Sequence, residues 1–539
     1  MELMNQNSDT FLLECVDCGK PFFTQGEQTF YEAKGLTIPK RCKACREIRK
    51  YTRETSHQQH ELSPNVKKLY DEVINNWSVE AKKENQAYFY YIQEVSEITS
   101  GKKAFVIGRK GSGKTAIAQY MYEVHDANVF STKLSFKNFP FNVLYALENS
   151  REYAAPNQYI TIWKYVIYSC LCKNMVSNQK IENGVREKLA KLYGDSPITA
   201  LNKLIERWTS TGFGIEVLGV GFNYERERTK DDVTWIDIVD ILEQVILDYS
   251  DDSSYFFLFD ELDEDYKDFT SESESRNYKC MLTSLFKAVQ DIRSTFSAAG
   301  RKIFPVVFLR SDIYSQIKDS DKNKWRESII DLEWNTSKIK KMLAHRLCVA
   351  MNIEDTTFET VWYSVFSNRN VNMGNKRLRQ MDIFSYIERS TEMRPRDFVQ
   401  YIIECVTIAN ERLEAPISPM TIRDADDNFS EYLKGETIDE LFPVLPEIDE
   451  ILGLFSTIRK QSFSLSTFEK EYVKLVERKV IPPRDLRSVL LLLFDAGVIG
   501  NQPSMRGQSI FRFSKKSPRF NFNENMIIHR GLYKALQIF

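Results

Sequence analysis

The rhythm of apolar and polar positions changes several times along the chain, and each change predicts an element. Val66, Leu69, Tyr70, Val73 and Ile74, then Tyr88, Tyr91, Ile92 and Val95, recur at helical spacing through residues 63–101. The run Ala104-Phe105-Val106-Ile107 is short, apolar and bounded by a glycine-rich turn, as a buried parallel strand is. A helical segment, TAIAQYMYEV, follows, and Asn128 to Phe136 alternates like a strand. Ile160 to Met175 reads as a buried helix, with Trp163 and Tyr165 among apolar neighbours. Tyr255 to Phe259, Ile303 to Leu309 and Ser328 to Glu333 read as further strands. About five strands separated by helices predict an α/β core, a doubly wound parallel sheet. Lys338 to Arg412 reads as helical. Beyond residue 445, helices near 447–458, 466–479 and 484–496 precede strands in VIGNQPSMRGQSIFRFS, the order of a winged helix. The segment Ser488 to Phe494 is apolar nearly all round, which suits a buried or protein-facing helix better than one reading DNA.

Length and composition bound this picture. At 539 residues the chain exceeds one hydrophobic core. The pattern divides it into a small N-terminal module (1–56), a helical linker (57–100), a core (101–336), a helical lid (337–444) and the winged-helix domain (445–539). Residues 176–233 read as an insertion in the core, with a β-hairpin over Gly212 to Glu227. Hydrophobic residues at 42% and charged residues at 27% are ordinary for a globular protein. A net charge of −2 excludes whole-chain electrostatics as the basis of nucleic-acid or membrane binding, so any basic surface is local. The start, MELMNQNSDT, has neither the basic opening nor the apolar core of a signal peptide, and no apolar run approaches about 18 residues. Both features predict a cytoplasmic protein without a membrane partner.

The apolar strand at 104–107 runs into Gly108, Arg109, Lys110, Gly111, Ser112, Gly113, Lys114 and Thr115, and then Ala116, fitting G-x-x-x-x-G-K-[ST]. Glycines let successive N–H groups turn inward onto phosphate oxygens, and the following helix adds the positive end of its dipole. Lys114 is expected to reach the β- and γ-phosphates of ATP, and the Thr115 hydroxyl to ligate Mg²⁺. A second strand ends in Asp260-Glu261-Leu262-Asp263-Glu264. Asp260 is expected on the Mg²⁺ shell and Glu261 as the base that orients water, with Glu264 the alternative base. The third strand ends in Arg310-Ser311-Asp312, where Arg310 or Asp312 is expected to sense the γ-phosphate. In Thr391-Glu-Met-Arg394-Pro395-Arg396-Asp397, either arginine can reach back from a lid helix, although Pro395 also suits an ordinary helix start.

Four of the nine cysteines form two C-x-x-C pairs, Cys15 with Cys18 and Cys42 with Cys45. Four thiolates close a tetrahedron around Zn²⁺, and the metal supplies folding energy that so small a segment lacks. Lys40, Arg41, Lys43, Arg46, Arg49, Lys50 and Arg53 surround the second pair, with Phe22, Phe23, Phe30 and Tyr31 nearby. They offer phosphate contacts and stacking faces to DNA or RNA, or form a solvated helix beside a structural knuckle. Arg506, Arg512, Lys515, Lys516 and Arg519 give the C-terminal wing the same option.

Taken together, GRKGSGKTA, FLFDELDE, FLRSDIY, TEMRPRDFVQYI and IIHRGLYKALQIF resemble bacterial P-loop ATPases of the Orc/STAND-like branch, several of which are associated with anti-phage defence and mobile elements. The CGKPFFTQGEQTFYEAKG…PKRCKACR stretch separately resembles a bacterial zinc-ribbon module. The resemblance implies an ATP-hydrolysing switch that senses a nucleic-acid or protein trigger and signals through a protein partner, an effector or homo-oligomerisation. It also implies sensor roles for Arg310 and for Arg394 or Arg396. A DNA-binding initiator or loader of a replication or mobile-element system is the alternative, and a scaffold that binds ATP and hardly hydrolyses it is the third reading.

Overall fold

The computed structural model describes residues 13–16, 21–22, 25–34, 37, 39–43, 45–46, 62–80, 86–124, 126–135, 159–193, 235–262, 272–372, 380–503, 508–514 and 518–538. It divides into two compact units, Met1–Ser63 and Pro64–Phe539. Among its described residues the first holds helix α1 (Gln25–Ala33) and an antiparallel bridge between Glu14 and Pro21. Among the described residues no helix is long and apolar enough to cross a membrane.

The second unit begins with α2 (Pro64–Asn76) and α3 (Gln93–Thr99) and is built on five parallel strands. In chain order these are β1 (Phe105–Gly108), α4 (Lys114–Glu123), β2 (Val129–Ser135), α5 (Ile160–Ser177), α6 (Asn183–Tyr193), α7 (Trp235–Tyr249), β3 (Ser254–Asp260), α8 (Glu272–Ala298), β4 (Lys302–Arg310) and β5 (Ile329–Asp331). The sheet order is β2-β3-β4-β1-β5, every pair parallel, so β4 separates the two motif-bearing strands β1 and β3. This is the P-loop ATPase fold with the inserted strand.

Alternation along each strand feeds two apolar layers. Phe105, Ile107, Phe257, Phe259, Val307 and Leu309 face α5, α7 and α8. Val106, Phe256, Leu258, Val306 and Phe308 face Val95 and Ile98 of α3 and Ile117, Ala118 and Met121 of α4. Each of these side chains is almost fully buried, and apart from Ala118 each is worth about 1.5–3 kcal/mol in transfer free energy. The two layers hold the sheet rigid, so its carboxyl ends form a fixed edge at which Gly108 pairs with Arg310 and Ser135 with Asp260. Of the insertion expected over 176–233, α6 is described; the hairpin at 212–227 lies outside the described residues, as do Asp263 and Glu264.

The lid comprises α9 (Thr336–Met351), α10 (Phe358–Val365), the two-residue strands β6 (Val371–Asn372) and β7 (Gln380–Met381), α11 (Ile383–Glu388), α12 (Pro395–Glu411) and α13 (Pro419–Leu441). The β6–β7 ribbon interrupts a stretch expected to be helical. Its cause is local: Ser367 to Asn372 reads S-N-R-N-V-N, whose short polar side chains compete with helical hydrogen bonds. Helix α2 packs on α9 and α12, and the Tyr70 hydroxyl donates to Glu414 O at 2.8 Å, so the helix leading into the core is also part of the lid.

The last portion contains α14 (Ile448–Ile458), β8 (Ser462–Phe463), α15 (Leu465–Glu477), α16 (Leu486–Asp495), β9 (Ile499–Gln502) and β10 (Asn525–Ile528). Its antiparallel sheet has the order β8-β10-β9. Helix α16 buries Val489, Leu490, Leu493 and Phe494 and leaves Leu491 exposed. The chain then presses onto the lid. A Cβ on Gly531 would stand 2.2 Å from Ser390 O, so only glycine fits there. His529, 2% exposed, places Nε2 3.2 Å from Thr391 O. Burial pushes its imidazole down to about 4 from 6.5.

Candidate nucleotide site

The loop after β1 wraps a cleft of ≈ 490 Å³ lined by Lys110 to Ile117, Asp260, Glu261, Trp334 and Arg396 on its polar side. Gly111 and Gly113 adopt φ of 78° and 96°, left-handed values that let the backbone curl before α4 begins at Lys114. Lys114 Nζ donates to Gly108 O and Arg109 O at 2.9 Å, a lysine folded across the loop it belongs to. The Thr115 hydroxyl donates to Asp260 Oδ1 at 3.3 Å. The two motifs, far apart in sequence, therefore meet at one point.

Asp260 is 2% exposed, and burial raises its carboxyl above the usual range even though Lys133 lies beside it. Lys133 Nζ stands 3.2 Å from Oδ2, an ion pair without hydrogen-bond geometry, and also donates to Gln119 Oε1 at 3.1 Å. Ser112 Oγ is likewise buried without a hydrogen-bond partner. A curled loop with an unsatisfied hydroxyl, beside a buried carboxylate whose Oδ2 accepts no hydrogen bond, fits a phosphate chain and its divalent cation. Glu261 follows at φ 61°, a conformation L residues avoid, and lines the cleft next to Asp260.

The lid faces this loop with carboxylates. Glu392 accepts from Arg109 in an ion pair. Glu436 on α13 takes Arg396 at 2.7 Å and Lys110 at 3.5 Å. Burial opposes ionisation of Glu436, yet these cations hold it below the usual carboxylate range. Glu440, one turn further on α13, lies 3.5 Å from Arg310.

Sequence reading places Arg310 at the phosphates, whereas its guanidinium donates to Asp312 at 2.8 and 3.1 Å and does not line the cleft. The carboxylate two residues along the same run captures it. Arg394 is also withdrawn. It precedes α12 as the capping residue, 5% exposed, with Nε 3.0 Å from both Asp397 oxygens. Arg396 is the arginine of that motif that reaches the cleft.

The other end of the cleft is apolar. Tyr88, Phe89, Tyr90 and Ile92 approach from the segment before α3, Met342 and Val399 from the lid. Trp334 braces the loop, its indole N–H donating to Ser112 O at 2.8 Å. Sequence reasoning missed Lys133, Trp334 and Glu436; only an acidic patch in DNFSEYLKGETIDE hinted at the last.

In the first unit, the sulfurs of Cys15, Cys42 and Cys45 lie within 4.8 Å of one another. Thiolates around Zn²⁺ sit about 3.8 Å apart given Zn–S bonds of about 2.3 Å, so three donors already converge. Cys18 lies outside the described residues, as do His57 and His60. Lys43, Cys45 and Arg46 are helical, so the second pair opens a helix.

Residues 11–54 match a family described as "Probable treble clef domain", which places the expected ribbon more narrowly as a treble clef. Residues 337–436 match a family described as the FunZ-associated C-terminal helical domain. No curated protein matches the chain by sequence. Among solved structures, the chain is similar to the Walker-type ATPase PABY2304 of Pyrococcus abyssi, at 11% identity over 87% of this chain and 99% of that one, TM-score 0.36. It is similar to the Aeropyrum pernix ORC2 protein in its ADPNP-ADP complexes, at 13% identity over 87% and 95%, TM-score 0.37. It is also similar to Drosophila ORC bound to DNA, at 11% identity over 96% and 100%, TM-score 0.27.

Proposed function

We propose that the protein is an ATP-hydrolysing switch whose lid reports the state of the nucleotide. The carrying observation is the convergence of Thr115 and Asp260 at the tip of a curled phosphate loop, beneath a lid whose Glu392, Glu436 and Glu440 already hold Arg109, Lys110, Arg396 and Arg310. In this reading Lys114 unfolds from the loop carbonyls onto the β- and γ-phosphates. Thr115 and Asp260 hold Mg²⁺, which supplies charge neutralisation for the transferring phosphoryl group. Glu261, presented at the mouth of the cleft, orients the attacking water. The tyrosines and Phe89 hold the base. Incoming phosphates compete with Glu436 for Lys110 and Arg396, and that competition opens or tightens the lid. Cys15, Cys18, Cys42 and Cys45 hold Zn²⁺.

The winged-helix reading of residues 445–539 rests on their order of three helices and a three-stranded antiparallel sheet. The place of this switch in anti-phage defence, with signalling through a protein effector or a homo-oligomer, rests on the motif resemblance. The loader reading is favoured by exposed Lys40, Lys43 and Arg46 beside the second cysteine pair, a surface suited to DNA or RNA.

The test is the hydrolysis rate of the purified, zinc-loaded protein with and without DNA or RNA. Strong stimulation whose salt dependence is steep supports a nucleic-acid trigger. An unchanged rate supports a protein trigger, and no hydrolysis under either condition removes the switch. Glu261→Gln is expected to bind ATP and lose about 10²–10³ in turnover, the cost of an absent water-orienting group. Wild-type turnover in that variant moves the base to Glu264.

A further inference from the structure

A second cavity, ≈ 410 Å³, opens where the C-terminal portion meets the lid. Its polar lining is unusual. Arg389, just beyond α11, and Arg530, from the closing segment, lie over the same ring: their guanidinium carbons are 5.0 and 4.6 Å from the centroid of Tyr386. Among the described residues the carboxylate paired with Arg530 is Asp426, and it is shared. It lies 3.3 Å from Arg530 and also accepts the hydroxyls of Tyr386 and Tyr401. Among the described residues Arg389 makes no ion pair, and its Nε is buried without a hydrogen-bond partner. Burial and the neighbouring Arg530 lower its guanidinium to about 10. His529 adds a buried Nδ1 that has no partner either.

A half-buried pair of like charges with an unmet donor is costly unless an anion completes it. The cavity is large enough for a small organic ligand. Its remaining walls suit something larger than a bare anion. Phe511 and Phe513, whose rings stack 5.3 Å apart, supply flat apolar surface. Glu388 also lines the cavity, held by the Thr336 hydroxyl at 2.6 Å. As sequence neighbours at a helix end, Glu388 and Arg389 point about 100° apart. A ligand anionic at one end, with N–H or O–H donors at the other, satisfies both.

We propose that this cavity is a second ligand site, which takes a phosphate ester bearing a flat ring, the chemistry of a mononucleotide, with its phosphate on Arg389 and Arg530. The site adjoins the phosphate loop. Phe513, one of its walls, lies 5.3 Å from the Arg109 guanidinium, and Thr391 and Met393 flank Glu392, the partner of Arg109. A ligand here therefore bears directly on the lid contact of the first site. Only this regulatory consequence rests on the switch reading; the binding does not.

The experiment uses full-length Lys114→Ala protein, so that the phosphate loop does not compete, titrated with fluorescently labelled AMP. AMP, GMP, adenosine and inorganic phosphate serve as competitors. Saturable binding is expected, displaced by both nucleotides, weakly by phosphate and not by adenosine. Arg389→Gln should weaken it by about tenfold or more, the loss of a charge-assisted contact. Ser509→Trp, which fills the cavity from the wing side, should abolish it, and keeps the test open if the arginine variant does not fold. Absence of saturable binding, or equal affinity in both variants, overturns the proposal. Displacement by phosphate as strong as by AMP overturns the flat-ring assignment. AMP binding in the Lys114→Ala protein, together with no ATP hydrolysis by the protein with Lys114 intact, would sink the switch and leave this site standing.

Discussion

The two walls of the nucleotide cleft are built by different means. The sheet wall consists of strand ends and one loop, placed by apolar runs that alternate between two buried layers. Its functional groups sit within a few residues of those runs, so strand and chemistry are legible together. The lid wall supplies Met342, Val399 and Arg396 to the cleft, and its carboxylates Glu392, Glu436 and Glu440, from the approach to α12 and from α13, hold the cations Arg109, Arg396 and Arg310. They matter only because the lid folds back onto the loop. One wall offers a receptacle; the other holds, through its carboxylates, the cations beside it.

Four substitutions or conditions probe that contrast. Lys114→Ala, on the sheet wall, should reduce ATP affinity by about a hundredfold or more, because a buried charge-assisted contact to phosphate is lost. Isothermal titration checks it, and retained affinity would mean that the lid wall binds nucleotide unaided. Lys133→Met should destabilise the fold by about 3–5 kcal/mol, since Asp260 is left buried without its cation. Denaturant unfolding reads this directly, and full stability would show that Thr115 alone satisfies the carboxylate.

Acidification next probes what backs the lid wall, the contact of His529 with Thr391. His529 is neutral in the fold at about 4 and titrates near 6.5 when unfolded. Its folded value is depressed, so stability is complete above about 6.5 and falls as the unfolded chain takes up a proton between 6.5 and 4. The loss is on the order of 3 kcal/mol. His529→Gln should remove that component from melting curves measured across this window. An identical pH profile would place the sensitivity elsewhere. The smallest effect is expected from Glu436→Gln with Glu440→Gln. Freeing Lys110, Arg396 and Arg310 should raise ATP affinity by between about two- and thirtyfold, the range of a coupling contact. Weaker ATP binding would show instead that these carboxylates hold the cations in place for the phosphates.

Legibility follows the same division. Lys114, Thr115 and Asp260 can be read because phosphate chemistry demands those residue types at fixed offsets from a strand end. Lys133 cannot, since a lysine in an alternating strand looks like any solvent-facing position until β2 lies beside β3. Trp334 reads as a core aromatic, and its partner Ser112 is 222 positions away. Arg310 shows the reverse case. Its strand ends where the apolar run predicts, but the nearby carboxylate in R-S-D, together with Glu440, claims the side chain. The β6–β7 ribbon escapes because two-residue strands leave no periodicity to detect.

Glu261 holds a backbone angle that glycine or asparagine would adopt at lower cost. A selection for heat resistance alone should therefore favour Glu261→Gly or Glu261→Asn, and discard the carboxylate at the cleft while improving the fold. Lineages that keep glutamate there despite the penalty record a history of use, and laboratory evolution without a functional screen would erase it.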